Sequence, residues 1–229
     1  MEMYQVVLAA LWLIAGCVSL YFSIGNARVW TSIAVGFSLI LLGQIISGSL
    51  QVFPGLSSPY LLAMGHIIGT ISILMISYGF QEYYVFTRTL DFEGNKLHVF
   101  LAVVAAIAVS LLFLLVNPEP TDDVRRVIRI VESSNWVFLS LINIDLTRKI
   151  YFNIKDTPIS NGFAAFLAVF ACILFWKGSQ LYMEVFSLDQ LKEAFPIRYE
   201  ISSWCKNLGN FFASIAVGGT FLYLGKLLR

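Results

Sequence analysis

The side chains of this 229-residue chain that could do chemistry fall on three stripes at helical spacing. Glu132, Asn135, Leu139 and Asn143 stand at i, i+3, i+7 and i+11. Lys177, Gln180 and Glu184 repeat that spacing, and so do Ser203, Asn207, Asn210, Ser214 and Gly218. Residues so spaced share one face of a helix. Each stripe lies in a stretch otherwise rich in apolar residues, so it must turn toward other helices or a wet cavity, because a lone charge facing lipid is costly. The chemistry on offer is hydrogen bonding and charge pairing. Glu132 and Lys177 are expected to approach each other across two helices, since each is costly if buried, charged and unpaired.

Other chemistries find little support. His66 and His98 are the two histidines, and they are expected on opposite sides of the bundle, where they cannot hold one haem iron. Cys17, Cys172 and Cys205 have no CxxC or Cys/His spacing and read as small buried apolar residues. No cofactor and no metal site is expected. HExxH, GxSxG and Walker A patterns are absent, so no nucleophile or general base can be named and no catalytic residue is assigned.

Hydrophobic residues make up 58% of the chain and charged residues 13%, with a mean hydropathy of +0.78. That composition predicts an all-α, polytopic integral membrane protein with the lipid bilayer as its main partner. A net charge of +1 excludes the basic footprint that nucleic acid requires.

About 20 mostly apolar residues cross the hydrocarbon core. Seven stretches qualify, near 4–23, 29–51, 59–87, 97–116, 123–150, 160–186 and 200–227, and the whole of 1–229 reads as a single transmembrane domain. The first stretch lacks a basic leader and a clear cleavage site, so it reads as a retained span. Breaks are expected at Gly25-Asn26, Pro54-Gly55, Gly94-Asn95, Asn117 to Pro120, Pro158 and Pro196. Ser58 before Pro59 is a helix start, and Thr121 before Asp122 and Asp123 is an N-cap with acids at the positive end of the dipole. The segment 186–200 alternates Leu188, Leu191, Phe195 and Ile197 with charged residues, and is expected as a short amphipathic turn or helix at the interface. Gly65-x-x-x-Gly69 and Ser214-x-x-x-Gly218 mark close helix approaches.

Lysine and arginine set the expected orientation. With the N-terminus outside and the C-terminus in the cytoplasm of a cell bounded by a plasma or inner membrane, the cytoplasmic side holds Arg28, Arg88, Lys96, Arg148, Lys149, Lys155, Lys226 and Arg229. Arg125, Arg126, Arg129, Lys192 and Arg198 stand against it. In that orientation Glu132, Asn135, Lys177, Gln180, Asn207 and Asn210 fall at one depth, in the outer halves of their helices, with Gln44, Ser47 and His66 beside them. These residues are expected to line a polar, outward-facing cavity between helices 2, 3, 5, 6 and 7 that takes a small-molecule ligand. A second cluster, Tyr78, Gln81, Glu82, Tyr83, Tyr84 and Arg88, reads as an aromatic belt with solvated charges at the other end of helix three.

In length and topology the chain resembles microbial rhodopsins, whose helix seven carries a lysine midway along it. Here Lys206 sits only about two turns into helix seven, and helix three has no Asp at its middle to serve as counter-ion, so the resemblance stays at topology. A likeness to seven-helix receptors is likewise one of architecture. Three function classes follow: a receptor-like or sensory module for signal transduction, a non-catalytic structural or accessory subunit of a larger membrane complex, and a transporter or intramembrane enzyme. A receptor of this form is expected to signal through a cytoplasmic or membrane protein partner, at the loop from Thr87 to Lys96 or the loop from Arg148 to Pro158.

Overall fold

The computed structural model describes residues 3–26, 28–50, 58–87 and 97–228. They form seven helices and no strand: α1 (Met3–Ser23), α2 (Arg28–Ile46), α3 (Pro59–Thr87), α4 (Leu97–Val116), α5 (Asp122–Asn153), α6 (Ser160–Val185) and α7 (Pro196–Leu228). All seven are long and apolar enough to cross a membrane. Helices suit that setting because each satisfies its own backbone groups where no water can.

Most helix ends fall where local chemistry puts them. Thr121 caps α5, its side chain accepting from the Val124 N–H, with Asp122 and Asp123 in the first turn. Pro59 opens α3, and the Ser58 carbonyl accepts from the Leu62 N–H. Two expected bounds move by four residues or more. The second helix stops at Ile46 rather than 51, because Gly48 adopts a positive φ of 71° and the chain folds back, Leu50 N–H donating to the Gln44 carbonyl. The last helix starts at Pro196 rather than 200, since proline's missing N–H costs nothing in a first turn. Ahead of it, residues 186–195 are turns, not a helix, and they bury Leu188 while leaving Leu191 and Phe195 exposed. Ser187 holds a left-handed φ of 51° there, and Leu188 N–H reaches back to the Met183 carbonyl to close α6. The expected breaks at Pro54-Gly55 and Gly94-Asn95, nearly all of the loop from Thr87 to Lys96, and Arg88, Lys96 and Arg229 lie outside the described residues.

Six helices close a ring: α1 packs on α2 and α7, α3 on α2 and α5, and α6 on α5 and α7. The seventh, α4, stands outside against α3 and touches α5 only slightly. Its placement is antiparallel to α3, with Leu114 clustered near Ile67 and Phe100 against Tyr78. This puts His66 and His98 at opposite ends, as expected from the order of the spans.

The ring interior is divided. Toward the C-terminal end of α1, it is filled by Phe37, Phe80, Phe163, Phe166, Phe170 and Phe221, all fully buried. Phe166 meets Phe80 edge-on at 5.1 Å, Phe221 at 5.5 Å, and stacks with Phe37 at 6.2 Å. Tyr83 and Tyr84 belong to this half: Tyr83 lies 4.7 Å from Phe163, and Tyr84 is buried. Only Tyr78 of the three expected belt tyrosines is exposed. The opposite half, toward the start of α1, is polar and partly hollow.

Close approach of α2 and α3 sets the shape of that hollow. A Cβ on Gly65 would collide with the Ser47 backbone, and one on Gly69 would occupy the place of the Glu132 carboxylate. Gly218 differs, since a Cβ there would meet Ala15 at an ordinary 3.7 Å, so its spacing to Ser214 marks a contact that does not require glycine. Replacing Gly65 with Ala is therefore expected to destabilise the bundle by at least about 1–3 kcal/mol. Gly219→Ala, at a position open on all sides, should be neutral or stabilising by up to about 1 kcal/mol. Thermal unfolding in detergent compares the two, and equal effects would remove the packing role assigned to Gly65.

Candidate functional site

The polar half of the ring is organised by one carboxylate. Glu132, on the inward stripe of α5, is 4% exposed and receives two partners. Lys177 Nζ of α6 lies 2.6 Å from its Oε1, and His66 Nδ1 of α3 lies 2.6 Å from its Oε2. Three helices meet through this group. Lys177 is itself buried and donates a second hydrogen bond to Gln180 Oε1 at 3.3 Å. Its ammonium also sits 4.5 Å from the Trp176 ring centroid and 5.5 Å from that of Trp136.

A second set of bonds ties the remaining helices. Trp12 Nε1 of α1 donates to Asn210 Oδ1 of α7 at 2.8 Å, and Asn210 Nδ2 donates to Gln44 Oε1 of α2 at 3.0 Å. An indole N–H can only donate, so Trp12 fixes which end of the Asn210 amide faces it, and Asn210 in turn fixes the Gln44 amide. Nearer the end, the Tyr4 hydroxyl donates to the Asn207 carbonyl at 2.7 Å.

Between the two sets lies a cavity of about 240 Å³, lined by residues of all six ring helices and by none of α4. Gln44, His66, Glu132, Lys177, Gln180, Asn207 and Asn210 all border it, as does Ser47. Trp136 and Trp176 stand 6.1 Å apart and Trp12 and Trp176 6.0 Å apart at its inner side, where the phenylalanine core begins. Toward the end of the bundle it continues into a vestibule bordered by Arg125, Arg129, Glu184, Asp189 and Lys206. The cavity is thus open at one end and blind at the other.

One expected site residue is not among its walls. Asn135 is half-buried and its Nδ2 donates to the Val131 carbonyl of its own helix at 2.9 Å. At 100° per residue it lies off to one side of Glu132, and Trp136 takes the inward place instead. Asn143, further along α5, belongs to the closed half and donates to Ser77 Oγ at 2.9 Å. The arginines at the head of α5 do more than mark a helix start. Arg129 Nε pairs with Glu184 Oε1 at 2.7 Å, and Arg126 donates to the Glu184 and Val185 carbonyls, satisfying the end of α6.

No family model, curated protein or solved structure matches this chain. Its chemistry has to be read from these residues alone. Among the described residues, no group of three or more His, Cys, Asp and Glu side chains comes together that could hold a metal ion. The walls offer hydrogen bonds and charge.

Sequence reasoning missed the contribution of α1. Tyr4, Gln5, Leu8 and Trp12 line or floor the cavity, and the i, i+4, i+8 spacing of Tyr4, Leu8 and Trp12 is the signal that was available, though a mostly apolar helix gives it little contrast. Trp136 and Trp176 were masked in the same way.

Removing either member of the buried ion pair leaves the other charged and unpaired, a loss of about 3–5 kcal/mol for Glu132→Gln or Lys177→Met. The double variant should lose less than the sum, with a coupling of about 0.5–3 kcal/mol. A double-mutant cycle on unfolding measures this, and strict additivity would dissolve the pairing as an energetic unit.

Proposed function

We propose that this chain is a receptor-like, multi-pass membrane protein that binds a small polar ligand in the cavity at the N-terminal end of its helix ring. The observation that carries this reading is the blind shape of the hollow. Charged and amide groups from six helices converge at one end, and fused aromatic packing closes the other. A space of this form suits capture of a solute better than passage of one; a transporter would have to dismantle the Trp12, Trp136 and Trp176 floor and the phenylalanine core behind it. Every ring helix contributes a wall, so a ligand that draws Gln44 toward itself acts on helices 1, 2 and 7, and one that draws Lys177 acts on helices 3, 5 and 6, through the bonds already described. The differential contact needed to shift a helix equilibrium is available there.

In the proposed orientation the cavity faces outside and the C-terminus lies in the cytoplasm. Arg126 and Arg129, which count against that orientation, are engaged by Glu184 and by the α6 carbonyls, whereas Lys155 is exposed at the opposite end. The alternative of an accessory subunit draws on α4. This helix stands off the ring and exposes Leu101, Val104, Val109, Leu112 and Phe113, an apolar face that lipid or a partner helix would cover.

Native mass spectrometry of the purified chain tests the two. A single low-mass adduct, lost in Asn210→Leu, is the expected result; a stoichiometric protein partner with no small adduct would favour the subunit. Orientation is checked by labelling Glu2→Cys and Arg229→Cys in a background from which Cys17, Cys172 and Cys205 have been removed. Glu2→Cys should react with an impermeant maleimide on intact cells, and Arg229→Cys only after permeabilisation. The reverse pattern would turn the cavity to the cytoplasm.

A further inference from the structure

The hydrogen-bonding inventory of the cavity is lopsided, and the imbalance identifies the kind of ligand that would complete it. Because Trp12 fixes Asn210 and Asn210 occupies Gln44 Oε1, the Nε2 end of Gln44 is left as a buried donor with no partner. Gln44 is only 5% exposed and borders the cavity. Trp136, 1% exposed and bordering the same cavity from α5, likewise leaves its indole N–H without an acceptor. Buried donors without partners are uncommon and costly.

The buried acceptors, by contrast, are largely engaged, while the Asn207 amide on the same lining is exposed. Both oxygens of Glu132 are engaged, one by Lys177 and one by His66. Gln180 Oε1 is taken by Lys177, and the Ser47 and Ser49 hydroxyls bond each other at 2.9 Å. Gln5 Oε1 is the buried side-chain acceptor on the cavity wall that has no partner. The charges lean the same way. Glu132 and Lys177 cancel, while Lys206 borders both the cavity and the vestibule with no carboxylate within ion-pair distance among the described residues. In the vestibule Glu184 is paired with Arg129, and Asp189 is an exposed acid on its outer side. Leu8, Ile40, Leu50 and the indole of Trp176 supply apolar patches of the otherwise polar wall.

Resting on the ligand-binding reading above, we infer that the cavity takes a small monocarboxylate with a short apolar body, its carboxylate accepting from Gln44 Nε2 and Trp136 Nε1 and facing the Lys206 ammonium. Charge-assisted bonds to a carboxylate satisfy several donors at once. An ammonium ligand would find no free carboxylate inside, and the cavity is smaller than most drug-sized sites.

Three solutes with one carbon frame separate the possibilities: sodium isobutyrate, isobutyramide and isobutylammonium chloride, each at matched ionic strength against sodium chloride. Thermal unfolding of the full chain in detergent reads binding as a saturable rise in Tm. Isobutyrate is expected to raise Tm above the salt control, with the amide much weaker and the ammonium without effect. Its apparent Kd should weaken by about tenfold or more in Lys206→Met, in Gln44→Leu and in Trp136→Phe, and stay unchanged in Lys155→Met, at the far end of the bundle. Trp136→Phe and Lys206→Met keep the test open if Gln44→Leu does not fold. An amide or ammonium response equal to or above that of isobutyrate, sensitive to these same substitutions, would overturn the carboxylate assignment while leaving a ligand cavity in place. A carboxylate response indifferent to all three substitutions would move binding elsewhere on the chain. No response to any of the three solutes also overturns the carboxylate assignment, and the bound-adduct experiment then decides the cavity reading independently.

Discussion

A carboxylate inside a ring of apolar helices must be given back, from protein atoms, what water would have supplied, and the arrangement around Glu132 does so with one partner on each oxygen. The requirement propagates outward. Lys177 must be desolvated to reach Oε1, so it needs its own support, which comes from Gln180 and from the faces of Trp136 and Trp176. Room for the carboxylate beside α3 requires that residue 69 have no side chain, and a glycine stands there. The junction of α3, α5 and α6 is therefore specified by charge and by space together. Neither would be enough by itself, since a buried pair often returns little net stability and is retained for the arrangement it enforces.

The second tie, from Trp12 through Asn210 to Gln44, works by direction rather than charge. Each amide is held in one orientation because the indole at its origin cannot accept. The consequence is a donor left over at the cavity end of the chain. A network that had ended in a hydroxyl could have rotated to satisfy itself; one that ends in a fixed amide cannot. Packing and cavity chemistry are coupled at this point, because the bonds that hold α1, α2 and α7 together also leave Gln44 Nε2 without a partner.

How much of this was legible in the chain follows from contrast. Glu132, Lys177 and Asn210 are conspicuous because each interrupts an apolar run, and helical spacing is enough to place them on inward faces. Depth followed from counting residues from the helix ends, which is why seven of the eight expected site residues share one cavity. Asn135 misled because a polar residue near a stripe can instead be satisfied by its own helix, Nδ2 to the i−4 carbonyl, at no cost to packing. The aromatic floor was hidden for the opposite reason: in a chain with 19 Phe and five Trp, no spacing distinguishes an indole that closes a cavity from one that faces lipid.

The ring also explains why α4 could be read as a span yet contributes nothing to the site. Its mean hydropathy of 3.1 is the highest of the seven spans, and only 22% of its most apolar window is buried. A helix with no polar stripe has nothing that must be hidden from lipid, so no desolvation cost drives it into the ring. The six ring helices differ in carrying at least one group that loses free energy if it faces hydrocarbon, from Tyr4 and Trp12 on α1 to Asn210 on α7. Closure of the ring is the arrangement that hides all of these groups at one end. The hollow remains there because side chains chosen for hydrogen bonding do not fill space as the phenylalanines do at the other end.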